Sequence, residues 1–463
     1  MELVIASFVI VSLGGAWGGV PEGEGAGGGW VWVSALGWVV AAGATWAWCV
    51  RAGVRLDRRG DVRAAWSAER ACAWARAAAV GLLAWNVVAL GWVGVVRGVV
   101  GDLVVVDEVV AVMPVLLVVV MGWWAVEPID RRFREAAMVR MLDEGTPMHA
   151  PPTRWGYVWR RVRMEMLAVL VPVVVVMGLG EVLSRAWPWT GLGAGWLSAA
   201  QVAGVVVVLA VSPAMLRLVW STSRLTAGPV RGVLERVCAA SGVRVRDFLV
   251  WRTGGTVHNA AVVGVLPGLR YILVTDGLLE RMPEEELEAV AMHEVAHVRH
   301  RHLAWLVASV VGSMGTAGVA GSWAAWALGA SGAWAEAGVV GAGLLAGVGM
   351  MGAVSRRFEW QADASAASGL SGDGAAVTAR GSLVMIAALE RVSALSGLDP
   401  ARFTWRHGSI RERQARLRAM VGVARGSVPI DAEVARWKRA SAALVVIAAV
   451  GVALDPTVLG AVG

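Results

Sequence analysis

The sequence predicts a predominantly α-helical, polytopic membrane protein with about nine transmembrane helices and a small α+β domain that a transmembrane hairpin divides in two. Three observations lead to this prediction. Of the 463 residues, 57% are hydrophobic and the mean hydropathy is +0.62, which excludes a disordered protein or an ordinary soluble one. Apolar stretches recur along the chain, and polar motifs with histidines and carboxylates lie on both sides of one pair of them.

The apolar stretches place the predicted membrane spans. About 20 consecutive apolar residues match the thickness of a bilayer. Such stretches occur at about 2–20, 28–50, 73–96, 104–126, 166–180, 197–219, 303–329, 332–354 and 441–460. The first one begins without a basic region, so we expect an uncleaved membrane anchor rather than a signal peptide.

The polar stretches between the spans divide the chain into five predicted segments. These are a bundle of about six spans at 1–219, the first half of a domain at 220–302, a transmembrane hairpin at 303–354, the second half of the domain at 355–440, and a C-terminal span at 441–463. Short runs rich in β-branched and aromatic residues predict strands in the first half. They lie at 243–245, 248–251, 260–265 and 271–275.

Arginine placement predicts which side of the membrane each loop faces. Residues 51–71 contain six arginines and residues 127–165 contain eight, whereas 97–103 and 181–196 contain one each. Short loops rich in Lys and Arg stay on the cytoplasmic side. Both halves of the split domain are therefore expected at the cytoplasmic face, in a multi-pass protein of a bacterial inner membrane.

The polar motif of the first half is His293-Glu294-Val295-Ala296-His297. Two imidazoles four residues apart on a helix point the same way and can hold one zinc ion, and Glu294 between them can act as a general base toward water. Pro283 at the first helical position and glutamates at 284–286 in the first turn favour such a helix. The alternative is a pair of solvated histidines on a polar helix face.

A third ligand is expected downstream, since a catalytic zinc takes three protein ligands and keeps one position open. Glu359 is the candidate, and Asp363 shares its helix face one turn later. One carboxylate can bind the metal while the other accepts a hydrogen bond from a ligand imidazole. The alternative is an ordinary surface helix in which Glu359 pairs with Arg356 or Arg357.

Two further histidines follow the first motif. His300 falls on the same helix face, but it lies about 10 Å along the axis from His293, too far for both to bind one zinc ion. A continued helix would point His302 to the opposite side. Glu359 is therefore the preferred third ligand.

Together these motifs resemble the membrane-bound zinc endopeptidases that include the HtpX heat-shock protease and the type 1 CAAX prenyl endopeptidase. The resemblance rests on the sequence PEEELEAVAMHEVAH at 283–297 and RFEWQAD at 357–363, and it covers about Leu225 to Met420. It implies a zincin-like α+β peptidase domain that holds one Zn²⁺ through His293, His297 and Glu359, with Glu294 as the base.

Two further segments extend the resemblance. His407-Gly408-Ser409-Ile410-Arg411-Glu412-Arg413 is similar to a late His-Pro-x-x-x-x-Arg motif, with Gly408 in place of the proline. It implies that His407 and Arg413 stabilise the oxyanion or buttress the site; a solvated or membrane-facing arginine tract is the alternative. Residues 258–264 are similar to an Asn-Ala edge strand, so Asn259 and Ala260 are expected to bind an extended substrate, or else to form a buried sheet edge.

The implied activity leaves its substrate open. Protein or peptide substrates at the membrane face are expected, either damaged membrane proteins or lipidated C-a-a-X tails, and the many spans favour the second group. A sensor or scaffold without hydrolysis is the alternative. No nucleic-acid partner is expected, because the basic patches are explained as membrane-facing loops. Three scattered cysteines at 49, 72 and 238 predict neither a disulfide framework nor a cysteine metal site.

Overall fold

A computed structural model describes residues 2–16, 29–143 and 150–454 of the chain. The chain divides into two compact units, Met1–Ser221 and Thr222–Gly463. This boundary lies next to the predicted end of the N-terminal bundle at residue 219. The finer division into five segments stays a prediction.

Among its described residues, the first unit contains helices joined by short turns and no strand. Its α-helices are α1 (Glu2–Ala16), α2 (Gly29–Arg59), α3 (Arg63–Leu90), α4 (Trp92–Val100), α5 (Val106–Asp143), α6 (Arg154–Arg161), α7 (Ala168–Ala186) and α8 (Ala194–Val219). A π-helix at Val162–Leu167 joins α6 to α7, and a 3₁₀ turn at Trp187–Thr190 follows α7. Helix α5 contacts both α2 and α3, and the side chains of Leu83, Val112 and Val115 are fully buried there.

These helices extend beyond the predicted spans. The arginines that were expected in a loop at 51–71 lie on the ends of α2 and α3, which are separated only by residues 60–62. Helix α5 likewise continues to Asp143, into the predicted loop at 127–165. The predicted loops were wrong because apolar composition marks the part of a helix that suits a bilayer, not the residue at which its hydrogen bonding stops.

The predicted span at 73–96 is wrong in its bounds. Helix α3 ends at Leu90, and Gly91 adopts a left-handed conformation with φ 60° before α4 begins at Trp92. The backbone N–H of Gly91 donates to the carbonyl of Asn86, which closes the helix end. Glycine is the residue that takes this conformation without steric cost. The uninterrupted apolar helix therefore begins ten residues earlier than expected, at Arg63.

The second unit contains a four-stranded sheet and eight α-helices among its described residues. The strands are β1 (Thr222–Arg224), β2 (Asp247–Trp251), β3 (Ala260–Val263) and β4 (Tyr271–Thr275). The helices are α9 (Pro229–Ala240), α10 (Asp276–Arg281), α11 (Glu284–Arg299), α12 (His302–Ala327), α13 (Ala333–Gly369), α14 (Ala379–Leu395), α15 (Ile410–Ala419) and α16 (Pro429–Ala453).

The sheet has the strand order β1-β2-β4-β3, so β3 lies at an edge. Strand β4 is parallel to β2 and antiparallel to β3, with Ala260 opposite Val274. Three of the predicted strands form. The predicted strand at 243–245 does not, and the three-residue strand β1 was missed because it is too short to show a periodic pattern.

Helices α12 and α13 pack against each other. They cover most of the segment 303–354, for which a transmembrane hairpin stays a prediction. A Cβ atom on Gly347 would lie 2.5 Å from Cγ of Met314, and one on Gly312 would lie 2.9 Å from the backbone nitrogen of Val445 in α16. Small residues therefore let these helices approach closely, as is usual for helices in membranes. Helix α13 continues unbroken from its apolar part to Gly369.

Among the residues that the structure describes, six helices are long and apolar enough to cross a membrane. They are Arg63–Leu90, Val106–Ala136, Arg154–Thr190, Trp196–Val219, His302–Ala327 and Ala335–Gly369. The protein is therefore a multi-pass membrane protein. The first and last predicted spans, 2–20 and 441–460, extend outside the described residues, and the count of nine spans stays a prediction.

Candidate metal centre

Helix α11 positions the two motif histidines. It starts at Glu284, one residue later than predicted, with Pro283 in extended conformation just before it and glutamates in the first turn. These carboxylates suit the positive end of the helix dipole. His293 and His297 are one turn apart, and their Nε2 atoms are 3.2 Å apart. Two ring nitrogens therefore face the same point in space.

Helix α13 brings Glu359 to the same point. Its carboxylate oxygens lie 3.5 Å from Nε2 of His293 and 3.8 Å from Nε2 of His297. One donor atom from each of the three residues fits within 4.8 Å of the others. Zinc bonds of about 2.0–2.2 Å in a tetrahedron place ligand atoms roughly 3.3–3.6 Å apart. The three side chains therefore fit a zinc ion, with one tetrahedral position left for another ligand.

Asp363 lies next to the His293 ring. Its Oδ1 lies 2.9 Å from Nδ1 of His293, and only 2% of the residue is exposed. Burial alone would lower the pKa of His293, but the carboxylates of Asp363 and Glu359 raise it to about 10. Nδ1 lies beside Asp363, and Nε2 is the ring nitrogen that faces His297 and Glu359.

Arg413 on α15 holds both carboxylates. It donates to Asp363 through Nε and Nη2, each at 2.7 Å, and its Nη1 lies 3.3 Å from Oε2 of Glu359. The residue is 9% exposed. Burial opposes its charge, but the two carboxylates outweigh that effect and raise the pKa of Arg413. The guanidinium is thus committed to the carboxylates behind the metal position, a buttressing arrangement.

Glu294 lies beside the two histidines on α11. Burial raises the pKa of Glu294 to about 7, while the nearby positive charge of His293 and the backbone of Val262 favour the ionised form. Val262 belongs to the edge strand β3. A carboxyl group that titrates near neutral pH can both accept and return a proton.

His297 has a different environment from His293. Burial and then the charge of His293 lower the pKa of His297 to about 4, so its ring is neutral at physiological pH. Its Nδ1 lies 2.9 Å from Nδ1 of His302. The expectation that His302 points away was therefore wrong. Arg301 has φ 55° and ends the helical path, so a helix continued past Arg299 mislocates His302.

The hydrogen-bonding contact of the His300 side chain lies outside the group of His293, His297 and Glu359. Its Nε2 lies 2.9 Å from Oγ of Ser365, and its backbone carbonyl accepts a hydrogen bond from Nζ of Lys438 at 2.9 Å.

His407, the first residue of the late motif, also contacts Glu359. Nδ1 of His407 is 3.1 Å from Oε1 of Glu359, and 52% of the His407 side chain is exposed. Gly408 has φ 74°, which proline cannot adopt, and its N–H donates to the carbonyl of Thr404 at 2.8 Å. The glycine thus gives this loop a conformation that the usual proline forbids.

The edge strand flanks a cleft of about 670 Å³ that contains His297 and Glu359. The strand side of the cleft is lined by Val262, Gly264 and Val265. Asn259 and Ala260 lie farther along the same segment and do not line it. The backbone of Asn259 is instead bonded to Thr275 at the end of β4. A substrate role for these two residues stays a prediction.

The sequence reasoning missed one set of residues altogether. His302 contacts Gln361 on α13, and Gln361 contacts Asp431 at the start of α16. Gln361 lies midway between Glu359 and Asp363, and this position within the second motif was the available signal.

The comparisons with known proteins agree with this geometry. Residues 224–421 match the family model described as Peptidase family M48. Over this part of the chain, the resemblance to the family that includes HtpX and the CAAX prenyl endopeptidase is confirmed.

The curated relatives match through parts of their chains. One is the "Protease HtpX homolog" of Aeropyrum pernix, 30% identical over 154 residues, which are 31% of this chain and 46% of the relative. Another is the "Protease HtpX homolog 2" of Methanosarcina mazei, 32% identical over 103 residues, 21% of this chain and 34% of the relative. The chain thus spans less than half the length of these relatives. The solved structure of S. mikatae Ste24p is 14% identical with a TM-score of 0.48, covering 83% of this chain and 98% of that one.

Proposed function

We infer that this chain is a membrane-integrated, zinc-dependent endopeptidase that hydrolyses peptide bonds of protein substrates at the cytoplasmic face. The observation that carries the proposal is the convergence of His293, His297 and Glu359, with Glu294 beside them. The histidines come from α11 and Glu359 from α13, more than 60 residues after His297 in sequence. The M48 family match supports the same activity. Imidazole and carboxylate donors in this number are typical of catalytic zinc sites.

The three converging side chains would hold the metal, which when bound polarises a peptide carbonyl and lowers the pKa of water. Glu294 takes the proton of the attacking water on its carboxylate. It then returns that proton to the departing amine nitrogen. Its pKa of about 7 suits both transfers. Arg413 and Asp363 keep Glu359 and the His293 ring in place during the reaction.

The edge strand β3 supports binding of an extended peptide. One side of β3 pairs with β4, and the strand borders the cleft beside His297 and Glu359. A substrate that adds a strand to this edge gains backbone hydrogen bonds without regard to its sequence. His407, exposed beside Glu359, is positioned to donate to a substrate oxygen. The curated relatives are named as proteases, and we infer protein substrates here, including lipidated ones.

Substitution of Glu294 by Gln tests the proposal. The purified protein is assayed in detergent on an unfolded soluble protein and on a prenylated peptide, with zinc content measured in parallel. We expect Glu294→Gln to retain bound zinc and to lose at least about 100-fold in kcat, because the proton acceptor is gone. Glu288→Gln, the same change 6 residues earlier on α11, should keep the wild-type rate.

The same assay in sealed vesicles tests the orientation. Added substrate should be cleaved by inside-out vesicles and spared by right-side-out ones. An unchanged rate in Glu294→Gln, or folded protein that binds no zinc, would contradict the enzymatic proposal. Cleavage of only the prenylated peptide would assign the chain to C-a-a-X processing, and cleavage of only the unfolded protein to quality control.

A further inference from the structure

His302 is a buried histidine that the proposed reaction does not use. It is 3% exposed and begins α12 directly after the left-handed turn at Arg301. Its ring is stacked on Phe358, with ring centroids 4.3 Å apart and planes within 3° of each other. This stacking holds the ring so that its Nδ1 faces Nδ1 of His297 at 2.9 Å.

The far side of the His302 ring is fixed by a chain of two hydrogen bonds. Nε2 of Gln361 donates to Oδ1 of Asp431 at 2.6 Å. A carboxylate only accepts, so this bond sets which end of the Gln361 amide is oxygen. The amide oxygen then lies 2.8 Å from Nε2 of His302 and accepts from it. Nε2 of His302 therefore carries a proton.

The proton on Nε2 of His302 determines which way the next hydrogen bond, between His302 and His297, is donated. No carboxylate of the described residues lies within 4 Å of the His302 ring nitrogens, and a buried ring without such a partner is neutral. A neutral imidazole protonated on Nε2 has a lone pair on Nδ1. Nδ1 of His297 must then donate to it. The remaining lone pair of His297 is on Nε2, the atom that faces His293 and Glu359.

We propose that His302, held by Gln361 and Asp431, is a positioning residue that fixes the tautomer and ring orientation of His297 for metal binding. The inference rests on the proposed zinc site. Asp363 orients His293 with a charged group, whereas His302 orients His297 with a neutral one. Groups of this kind behind a ligand imidazole are worth about 10–100-fold in metal affinity.

The test compares three variants by zinc affinity, measured by competition with a chelator. His302→Phe keeps a ring stacked on Phe358 and removes the acceptor, so we expect zinc to bind about 10–100-fold more weakly. His302→Asn places an amide oxygen near the former Nδ1 and should recover most of that loss. His300→Phe is the matched control: it keeps an aromatic ring stacked on His302, where the ring centroids are 5.5 Å apart, and loses only the contact to Ser365. It should leave the affinity unchanged.

A second readout does not depend on metal or activity. In zinc-free protein labelled with [¹⁵N]histidine, the His297 ring should be the Nδ1–H tautomer in wild type and a mixture of tautomers in His302→Phe. If that variant does not fold, Gln361→Leu, which cuts the chain one bond away, should give the same mixture with a smaller loss of affinity. Wild-type affinity together with a single unchanged tautomer in either variant would overturn the inference. Because the tautomer is read without zinc, this result stands apart from the outcome for Glu294→Gln.

Discussion

The two histidines of the first motif lie one turn apart on α11 and yet have opposite surroundings. Burial opposes the charged form of His293, but the carboxylates of Asp363 and Glu359 raise its pKa to about 10. Asp363 is in turn held by Arg413. His297 faces the neutral ring of His302, and burial lowers its pKa to about 4. Helix α13 contributes to both sides: Asp363 lies next to His293 directly, and Gln361 contacts His302, which is the partner of His297.

In the proposed zinc site, the two imidazoles would thus be oriented in two different ways. On the His293 side, the charge of Asp363 must itself be neutralised in the interior, so a buried arginine is required. On the His297 side, the chain of neutral groups leads to Asp431 near the surface, where water can solvate the carboxylate. Folding should therefore depend on Arg413, which neutralises Asp363 on the His293 side. On the His297 side, changes to His302 or Gln361 should lower metal affinity more than they lower stability.

The largest effect is expected from Arg413. Arg413→Met should lower the free energy of unfolding by about 3–5 kcal/mol, because Asp363 and Glu359 would be left as uncompensated buried charges. Denaturation of the detergent-solubilised protein measures this loss. Arg411→Met on the same helix is the control, and as an exposed residue it should change stability by no more than about 0.5 kcal/mol. Equally small losses of unfolding free energy in both variants would show that Arg413 does not neutralise the charges of Asp363 and Glu359.

An intermediate effect is expected from Asp363. Asp363→Asn keeps the shape of the side chain but removes its charge, so zinc should bind about 10–100-fold more weakly, or about 1.4–2.7 kcal/mol. Chelator competition gives the affinity. Asp373→Asn, an exposed aspartate after the end of α13, serves as the control. If both variants bind zinc like the wild type, Asp363 does not orient His293.

The smallest effect on stability and zinc affinity is expected from Ser365, which belongs neither to the contacts of His293 nor to those of His297. Ser365→Ala removes the hydroxyl that contacts His300 at 2.9 Å and should cost about 1 kcal/mol of stability or less. Zinc affinity should stay at the wild-type value, because His300 contacts neither ligand ring through this bond. A clear loss of zinc affinity would mean that the surroundings of His297 extend beyond His302, Gln361 and Asp431.

The convergence of the three donor groups could be anticipated from sequence. His293 and His297 share a face at any position in a helix, since four residues make about one turn. Glu359 followed a predicted hairpin that returns to the same membrane face, and its spacing from Asp363 suggested a pair of roles. These arguments needed only local helical geometry and apolar length. The metal-binding and catalytic roles themselves stay predictions.

What the sequence could not supply depends on turns and long-range contacts. The position of His302 depends on the left-handed conformation of Arg301, which a helical projection does not include. The conformation of the loop at Gly408 requires φ 74°, whereas the resemblance pointed to proline. Strand β1 is visible only through its pairing with β2. The helix ends at Arg59, Arg63 and Asp143 follow from backbone hydrogen bonding that continues beyond the apolar residues.

Helix α13 is a single rod of 37 residues that carries Glu359 well beyond its apolar part. Glu359 lies about 36 Å along the axis from Ala335, where the apolar stretch begins. Helices adapt to bilayers of different thickness by changing their tilt. A change in tilt of about 5° would displace the carboxylate of Glu359 by about 3 Å. Metal bonds tolerate only about 0.2 Å. We therefore expect the zinc affinity of the proposed site to depend on the acyl-chain length of the surrounding lipids.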